Sequence, residues 1–167
     1  RHGDRETLTA LIKKIREKIP NVTLRTTLIT GFPGETEEQF EELCEFVKEI
    51  RFERLGCFAY SPEEGTPAEK FEDQVPLKDR ERRAEIIMEE QMIISDSLNE
   101  AALDSEVEVV CDGFDRYAEC YYGRSQADAP EIDGKIFFLS EDKVRVGEYV
   151  KVKIDDTMDY DLIGSKM

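Results

Sequence analysis

The chain is poor in the residues that usually build metal sites: it has one histidine and four cysteines among 167 residues, and no tryptophan. Cys44, Cys57, Cys111 and Cys120 are far apart and form no Cys-x-x-Cys pair, so their spacing gives no support to a zinc or cluster site. Small buried thiols in a reducing compartment are the simpler interpretation, and we expect a cytoplasmic protein. The histidine, His2, lies at the chain end and is not expected to be catalytic.

Long apolar runs and positive charge are also scarce. No run of eighteen apolar residues and no signal peptide is visible, so the sequence predicts no membrane association. Only 23 Lys and Arg accompany 39 Asp and Glu, a net charge of −16. An acidic chain repels phosphate backbones and pairs more easily with a basic protein, although solubility explains the acidity equally well. Because the first residue is Arg1 and not Met, we expect a fragment of a longer protein.

The most informative segment that is present is Gly31–Thr36, of sequence Gly-Phe-Pro-Gly-Glu-Thr. An alternating run over 22–30 precedes it and predicts a half-buried strand. Residues 36–39 have the form of a capping box, and apolar residues at helical spacing continue to Ile50. Junctions of strand, turn and helix N-terminus bring free backbone N–H groups together, which is where α/β folds bind ligands.

The surrounding pattern predicts an α/β part. A helix over 4–19 comes first, and a second strand over 54–60 lacks alternation, so we expect it to be buried on both faces as in a parallel sheet. Helix–strand–helix–strand order is typical of α/β folds. Two strands cannot close a barrel of eight, and the open sheet edge predicts that further sequence covers it.

The remainder predicts a helix and a small barrel. A long helix over 78–103 has a predicted buried side formed by Ile86, Ile87, Ile93, Ile94 and Leu98. After residue 105 the pattern changes to short strands with glycine and proline between them, which predicts a closed or nearly closed β-barrel. The five candidate strands are 106–111, 117–124, 135–139, 148–155 and 161–165.

Two segments in order, Leu24–Thr36 (LRTTLITGFPGET) and Gly56–Thr66 (GCFAYSPEEGT), resemble the radical S-adenosylmethionine methylthiotransferases. The resemblance implies that residues 1–77 are the last part of an incomplete TIM-barrel-like α/β domain. It implies a connecting helix over 78–104 and, over 105–167, a TRAM domain, which is a five-stranded OB-like barrel.

The segment Tyr122–Phe138 resembles one branch of that family, which methylthiolates an aspartate β-carbon on a small-subunit ribosomal protein. The other branch modifies a tRNA adenosine. The acidity agrees with a basic ribosomal protein as partner and makes tRNA unfavourable. A stand-alone TRAM module that binds RNA or protein without catalysis is the remaining alternative.

The resemblance implies S-adenosylmethionine and two [4Fe-4S] clusters in the parent enzyme. The parent would cleave the cofactor to a radical, abstract hydrogen from the aspartate and insert sulfur and a methyl group. The family's Cys-x-x-x-Cys-x-x-Cys motif is absent from this chain, and its scattered cysteines cannot supply three thiolates to a cluster. We therefore expect no metal ligands and no catalytic residues here, and no activity of the chain alone.

Cofactor contacts are expected at the ends of the two strands, where the resemblance places the cofactor. Each residue has a plainer alternative: neutralisation of a buried acid for Arg25, packing for Thr27, turn geometry for residues 31–34, the helix dipole for Glu35 and core packing for Phe58 and Tyr60. The candidates are Arg25, Thr27, Gly31, Phe32, Pro33, Gly34, Glu35, Phe58 and Tyr60.

Substrate contacts are expected in two further places. The loop after the second strand lies at the face where such barrels act. In the tail, aromatic and basic residues are typical of interfaces, and acidic residues suit a basic partner, although strand packing and solvated loop charge are the alternatives. The candidates are Ser61, Glu63 and Thr66 in the loop, with Tyr122, Arg124, Asp128, Glu131 and Asp133 in the tail.

Overall fold

A computed structural model describes residues 4–167, so His2 lies outside the described residues. The elements in chain order are α1 (Arg5–Lys18), β1 (Arg25–Thr30), α2 (Glu37–Ile50), β2 (Arg54–Ala59), a 3-10 turn (Ala68–Lys70), α3 (Leu77–Glu100), β3 (Glu106–Asp115), β4 (Cys120–Arg124), β5 (Ile136–Leu139), β6 (Tyr149–Met158) and β7 (Asp161–Lys166). They form two compact units, one ending at Ile94 and the other beginning at Ser95, so the division falls within α3. The three-part division at residues 77 and 104 stays a prediction.

The first unit contains the predicted parallel pair. β1 and β2 align from Arg25 opposite Arg54 to Thr30 opposite Ala59, which confirms the α/β pattern. β1 begins three residues later than predicted, because the Leu24 N–H donates to the Glu53 carboxylate at 2.8 Å and not to a neighbouring strand. The buried apolar side chains of this unit include Phe40, Val47, Ile50, Phe52, Val75, Ala84 and Ile87.

The expectation that β2 is buried on both faces is wrong. The Phe58 side chain is 64% exposed, and Ile29, its register partner in β1, is 56% exposed. Side chains alternate between the two faces of a strand, so one face of the pair is left open. We call this the open face; it consists of Arg25, Thr27 and Ile29 with Arg54, Gly56 and Phe58.

The terminal helix α1 has an apolar stripe but no buried residue. Polar contacts attach it instead: the Arg5 guanidinium lies 3.3 Å from Glu49, and Arg16 donates to the Ile50 carbonyl at 2.6 Å and to Glu53 at 2.9 Å. Exposed ion pairs are weak, so this helix is held less firmly than the core elements.

The buried side of α3 differs from the prediction. Ile87 and Ile94 are buried as expected, but Ile93 is 63% exposed, so its assignment to the core is wrong. The stripe at spacings of three and four residues instead includes four polar residues, Arg83, Gln91, Ser95 and Asn99. Gln91 is accommodated there because its amide donates to the Phe52 carbonyl at 3.0 Å.

The second unit is a closed barrel in the order β3-β4-β5-β7-β6, as the five-strand pattern predicts. β5 and β7 are parallel and the other pairs are antiparallel. β4 begins at Cys120 and not at Tyr117, because Asp115 accepts from the Tyr117 and Ala118 amides and forms a turn there. The core consists of Val109, Cys111, Ile136, Phe138, Val144, Val150, Val152 and Ile154.

Candidate functional site

The turn after β1 has a backbone that requires glycine at two positions. Gly31 and Gly34 adopt positive φ angles of 71° and 85°, which side-chain-bearing residues rarely adopt. The Gly31 N–H donates to Glu35 Oε1 at 2.8 Å, and the Gly34 N–H donates to the Asp73 carbonyl at 2.9 Å. The Glu35 N–H donates to the Phe32 carbonyl at 2.9 Å. The turn is therefore fixed by its own hydrogen bonds and by the loop that carries Asp73.

The same glycines also make room for neighbouring residues of the chain. A Cβ on Gly31 would overlap the Arg80 side chain, and one on Gly34 would lie 2.5 Å from Asp73 Oδ2. Close packing within the chain thus accounts for glycine at both positions. Gly56, on the open face, has empty space where a Cβ would lie.

Three aromatic rings adjoin the turn. The Phe32 ring packs edge-on against Tyr60, with centroids 5.2 Å apart, and against Phe71 at 6.3 Å. Phe32 is partly exposed, whereas Tyr60 is buried. The Tyr60 hydroxyl is buried without a hydrogen-bond partner among the described residues. A buried hydroxyl of this kind is costly unless something supplies a partner.

Two arginines of α3 contact this region, although the sequence indicated only a charged helix face. Arg80 donates to the Tyr60 carbonyl at 2.7 Å, and Arg83 donates to Glu35 and Glu37. Burial opposes the charge of Arg83, but its hydrogen bonds to Glu37 and Glu35 outweigh this and raise its pKa. Hydrogen bonds from Arg83 and Arg82 in turn lower the pKa of Glu37. Arg83 lies one helical turn before the buried Ile87, so helical spacing places it on the buried side, but the sequence gives no sign of the acceptors that compensate its charge.

Three cofactor candidates, Arg25, Thr27 and Phe58, lie on the open face, whereas residues 31–35 form the turn and Tyr60 is buried beside it. Arg25 and Thr27 are exposed, and Arg25 already has a contact within the chain. Arg25 and Gly31 are about 20 Å apart along the strand, at about 3.3 Å per residue. Phe58 lies closer to the turn, opposite Ile29. A ligand that contacts both Arg25 and the turn would have to lie lengthwise along β1.

The loop candidates after β2 fall into two groups. Ser61 and Glu63 have exposed side chains at the strand end. Thr66 is engaged within the loop: its hydroxyl donates to the Glu63 carbonyl at 2.8 Å and accepts from the Glu69 N–H at 3.4 Å. Its hydroxyl therefore fixes the local turn.

In the barrel unit, four of the five predicted tail residues surround one cavity of about 580 Å³. Asp128 belongs to the loop beside it but is not among the lining residues. We call this cavity the barrel cleft. Its lining residues are Asp112, Tyr122, Gly123, Arg124, Ala129, Pro130, Glu131, Asp133, Gly134 and Lys135.

A β-bulge shapes one wall of the barrel cleft. The pairing of β3 with β4 shifts between Cys111 and Gly113, which leaves Asp112 outside the ladder and in an ion pair with Arg124. The hydrogen bond from this pair raises the pKa of Arg124. A Cβ on Gly113 would lie 2.5 Å from the Tyr122 hydroxyl oxygen, so the missing side chain makes room for the ring.

The opposite wall is the loop from Ser125 to Lys135. The Asp128 carboxylate accepts from the backbone N–H of Ser125 at 3.0 Å and from the Ser125 hydroxyl at 2.7 Å. The Asp133 carboxylate accepts from the backbone N–H of Ala129 at 2.6 Å. The Lys135 ammonium lies 4.8 Å from the centre of the Tyr122 ring, a cation–π contact. Asp128 and Asp133 thus shape the loop, whereas Glu131 projects from an exposed backbone position with positive φ.

Within residues 4–167, no cluster of three or more His, Cys, Asp or Glu residues has the arrangement of a metal site. In the same range, no helix has both the length and the apolar character that a membrane crossing requires.

The part of the chain that contains the barrel, residues 105–166, matches the family described as the TRAM domain. Nearly the whole chain is also similar to curated enzymes named ribosomal protein uS12 methylthiotransferase RimO. The Clostridium botulinum (strain Okra / Type B1) enzyme is 44% identical over 164 residues, which are 98% of this chain and 36% of that enzyme. This confirms the resemblance to the methylthiotransferases that the strand motifs indicate.

Two further relatives give the same result. The Carboxydothermus hydrogenoformans enzyme is 44% identical over 98% of this chain, and the Desulforamulus reducens enzyme is 46% identical over 92%. The chain covers 37% and 35% of these enzymes, respectively. It therefore spans about a third of the length of the curated relatives it matches.

Proposed function

We propose that the chain is the C-terminal segment of a cytoplasmic radical S-adenosylmethionine enzyme that methylthiolates an aspartate of ribosomal protein uS12. The observation that carries this proposal is the similarity of nearly the whole chain to enzymes named for that substrate. The partial α/β unit followed by a TRAM barrel is the arrangement expected for such a segment.

The first unit would hold one side of the cofactor. S-adenosylmethionine, when bound, supplies the carbon radical and the methyl group of the reaction. The space beside Gly56 leaves room for a ligand at the open face, and the buried Tyr60 hydroxyl beside the turn has no hydrogen-bond partner among the described residues. Arg25 suits a carboxylate and Thr27 a polar atom, while Phe32 and Phe58 offer apolar surface. The turn, Gly31 to Glu35, would exclude water at the strand ends.

The iron–sulfur clusters do not fit the residues of this chain. No suitable group of ligands occurs in the described range, and the four cysteines are all separate, free thiols. Cluster ligation, and with it radical generation, would belong to other parts of the parent enzyme. The chain alone would therefore be inactive.

The barrel cleft would contact the protein substrate. It carries three carboxylates, Asp112, Glu131 and Asp133, against the two cations Arg124 and Lys135. With the net charge of −16 of the chain, this favours a basic ribosomal protein over an RNA backbone. Within the cleft, Glu131 is the exposed acidic side chain available to a basic segment. In the first unit, Ser61 and Glu63 are exposed and are proposed separately as contacts of the strand-end loop.

Titration of the chain with uS12 and, separately, with tRNA at physiological salt tests this proposal. We expect uS12 to bind, Glu131→Lys to weaken binding several-fold, and Glu141→Lys, an exposed site outside the cleft, to have a smaller effect. Tight tRNA binding with a steep salt dependence, and none of uS12, would instead favour a tRNA-modifying enzyme or an RNA-binding module. In that case Tyr122, Arg124 and Lys135 would be the stacking and phosphate contacts.

A further inference from the structure

The first two turns of α3 lie against the ends of both strands. Arg80 donates to the carbonyl of Tyr60, which follows β2, at 2.7 Å. Its own carbonyl accepts from the buried hydroxyl of Thr30, the last residue of β1, at 3.3 Å. Its side chain fills the space that the missing Cβ of Gly31 leaves. One residue of α3 thus contacts the end of β1, the start of the turn and the end of β2.

Arg83, one helical turn later, contacts the other end of the turn. Its guanidinium donates to the Glu35 carbonyl at 3.1 Å and to Glu35 Oε1 at 2.8 Å. It also donates to Glu37 Oε2 at 2.8 Å and lies 5.4 Å from the centre of the Phe40 ring. The residue is only 5% exposed. A buried guanidinium in this setting depends on all of these acceptors.

The Glu35 carboxylate connects Arg83 to the first residue of the turn. Its Oε1 accepts from both the Gly31 N–H and Arg83, each at 2.8 Å. The position of Arg83 therefore determines where this oxygen lies, and the oxygen determines the orientation of the Gly31 peptide. Lysine cannot replace this arrangement, because an ammonium lacks the planar set of donors that reaches three acceptors at once.

From these contacts we propose that Arg83, supported by Arg80, is a positioning residue for cofactor binding: it fixes the backbone of Gly31–Glu35 through Glu35. The inference rests on the proposed function, in which this turn adjoins S-adenosylmethionine. Arg83 itself is covered by the turn and does not touch the cofactor. Its effect on binding passes through the Gly31 amide and the adjoining Phe32 ring.

Two measurements on the same variants test the proposal. Hydrogen exchange of the Gly31 amide, followed by NMR on the 167-residue chain, reports whether Arg83 fixes the turn. Equilibrium dialysis with S-adenosylmethionine, on the cluster-loaded full-length enzyme that contains this segment, reports whether the turn matters for the cofactor. Arg83→Met removes the donors, and Arg83→Lys keeps the charge for the case in which the first variant does not fold.

Arg82→Met is the matched control. Arg82 lies next to Arg83 and also pairs with Glu37, at 3.0 Å, but it is more exposed and none of its contacts reaches residues 31–35. We expect both Arg83 variants to speed Gly31 exchange and to raise the dissociation constant of the cofactor about tenfold or more, since one positioned charge-assisted contact is worth about that factor. Arg82→Met should leave both quantities close to those of the unmodified protein.

The two readouts separate the possible failures. Unchanged Gly31 exchange in a folded Arg83 variant would overturn the inference, whatever the cofactor affinity. Faster exchange with unchanged cofactor affinity would mean that Arg83 fixes a turn that the cofactor does not use, which would overturn the cofactor site of the proposed function. If Arg82→Met changed Gly31 exchange and cofactor affinity as much as the Arg83 variants do, the effect of Arg83 would come from its positive charge and not from its position. That result would also overturn the inference.

Discussion

Thr36 and Gln39 exchange hydrogen bonds at the start of α2. The backbone N–H of Gln39 donates to Thr36 Oγ1 at 3.3 Å, and the backbone N–H of Thr36 donates to the side-chain Oε1 of Gln39 at 3.1 Å. Two backbone donors that the helix cannot satisfy internally are satisfied in this way. The same helix start is the end of the candidate cofactor turn, so its stability bears directly on the site.

Removal of the Thr36 hydroxyl should destabilise the first unit. We expect Thr36→Ala to lower the free energy of unfolding by about 1 kcal/mol, the usual effect of losing an N-cap side chain. Thr36→Ser keeps the hydroxyl and should stay within a few tenths of a kcal/mol of the unmodified protein. Urea denaturation followed by circular dichroism measures both. Equal destabilisation by the two variants would contradict the capping role.

In the barrel, Gly164 of β7 faces the backbone of β6 too closely for any side chain. A Cβ there would overlap the Lys153 carbonyl oxygen and lie 2.7 Å from Val152 Cγ1. Because backbone cannot move aside as a flexible side chain does, we expect Gly164→Ala to cost about 1–3 kcal/mol of unfolding free energy. Tyrosine fluorescence during urea denaturation measures the barrel transition. Gly56→Ala, where the new methyl group meets empty space, is the control and should be nearly neutral.

The four thiols should be unreactive at neutral pH. Burial raises the pKa of Cys44, Cys57, Cys111 and Cys120 above the ordinary value of 9.0, so the reactive thiolate is a minor species at pH 7. We expect slow alkylation by iodoacetamide, with the fully buried Cys111 slowest, and a rate that is still rising with pH at about pH 9, because the raised pKa delays the plateau. Mass spectrometry of the labelled peptides measures this. Labelling of folded Cys111 at the rate seen in urea would contradict the prediction.

The turn between β3 and β4 should lose its hydrogen bonds in acid. The amides of Ala118 and Tyr117, which donate to Asp115, lower the pKa of this carboxyl below its ordinary value of 3.8. A lowered pKa in the folded state means that the stabilisation is present above pH 3.8 and is lost as the pH falls through the lower value.

NMR titration of the Tyr117 and Ala118 amides measures this pKa. We expect both signals to shift with a midpoint below pH 3.8. Asp115→Asn keeps an oxygen acceptor but has no titrating carboxyl, so its amide signals should not shift with that midpoint. A midpoint at or above 3.8 in the unmodified chain would contradict the proposed cause.

The sequence predicted the elements that depend on local patterns. The capping box at Thr36, the parallel pairing of β1 with β2 and the five strands of the barrel are all present. The capping box and the barrel strands follow from turn chemistry and from short-range periodicity. The parallel pairing follows from the alternation of helices and strands along the chain. Strand ends were less accurate where a side chain intervened, as Asp115 does before β4.

The contacts between distant residues were not predictable in the same way. Apolar periodicity assigned Ile93 to the core of α3, whereas the buried side includes Arg83, because the acceptors on Glu35 and Glu37 compensate its charge. The sequence around residue 83 does not indicate that the hydrogen-bond acceptors of Arg83 lie about 48 positions earlier in the chain. The ion pair of Asp112 with Arg124 likewise depends on a bulge in the pairing of β3 with β4.

The sequence by itself therefore determined the order of elements, the turn at Gly31 and the membership of the tail in a small barrel class, since each depends on local chemistry. The tertiary structure alone decided that four tail candidates share one cleft and that α3 supports the turn. It also left Phe58 on an open face, where a buried strand was expected. The physical reason is that burial and charge compensation are properties of neighbours in space, which a linear pattern does not contain.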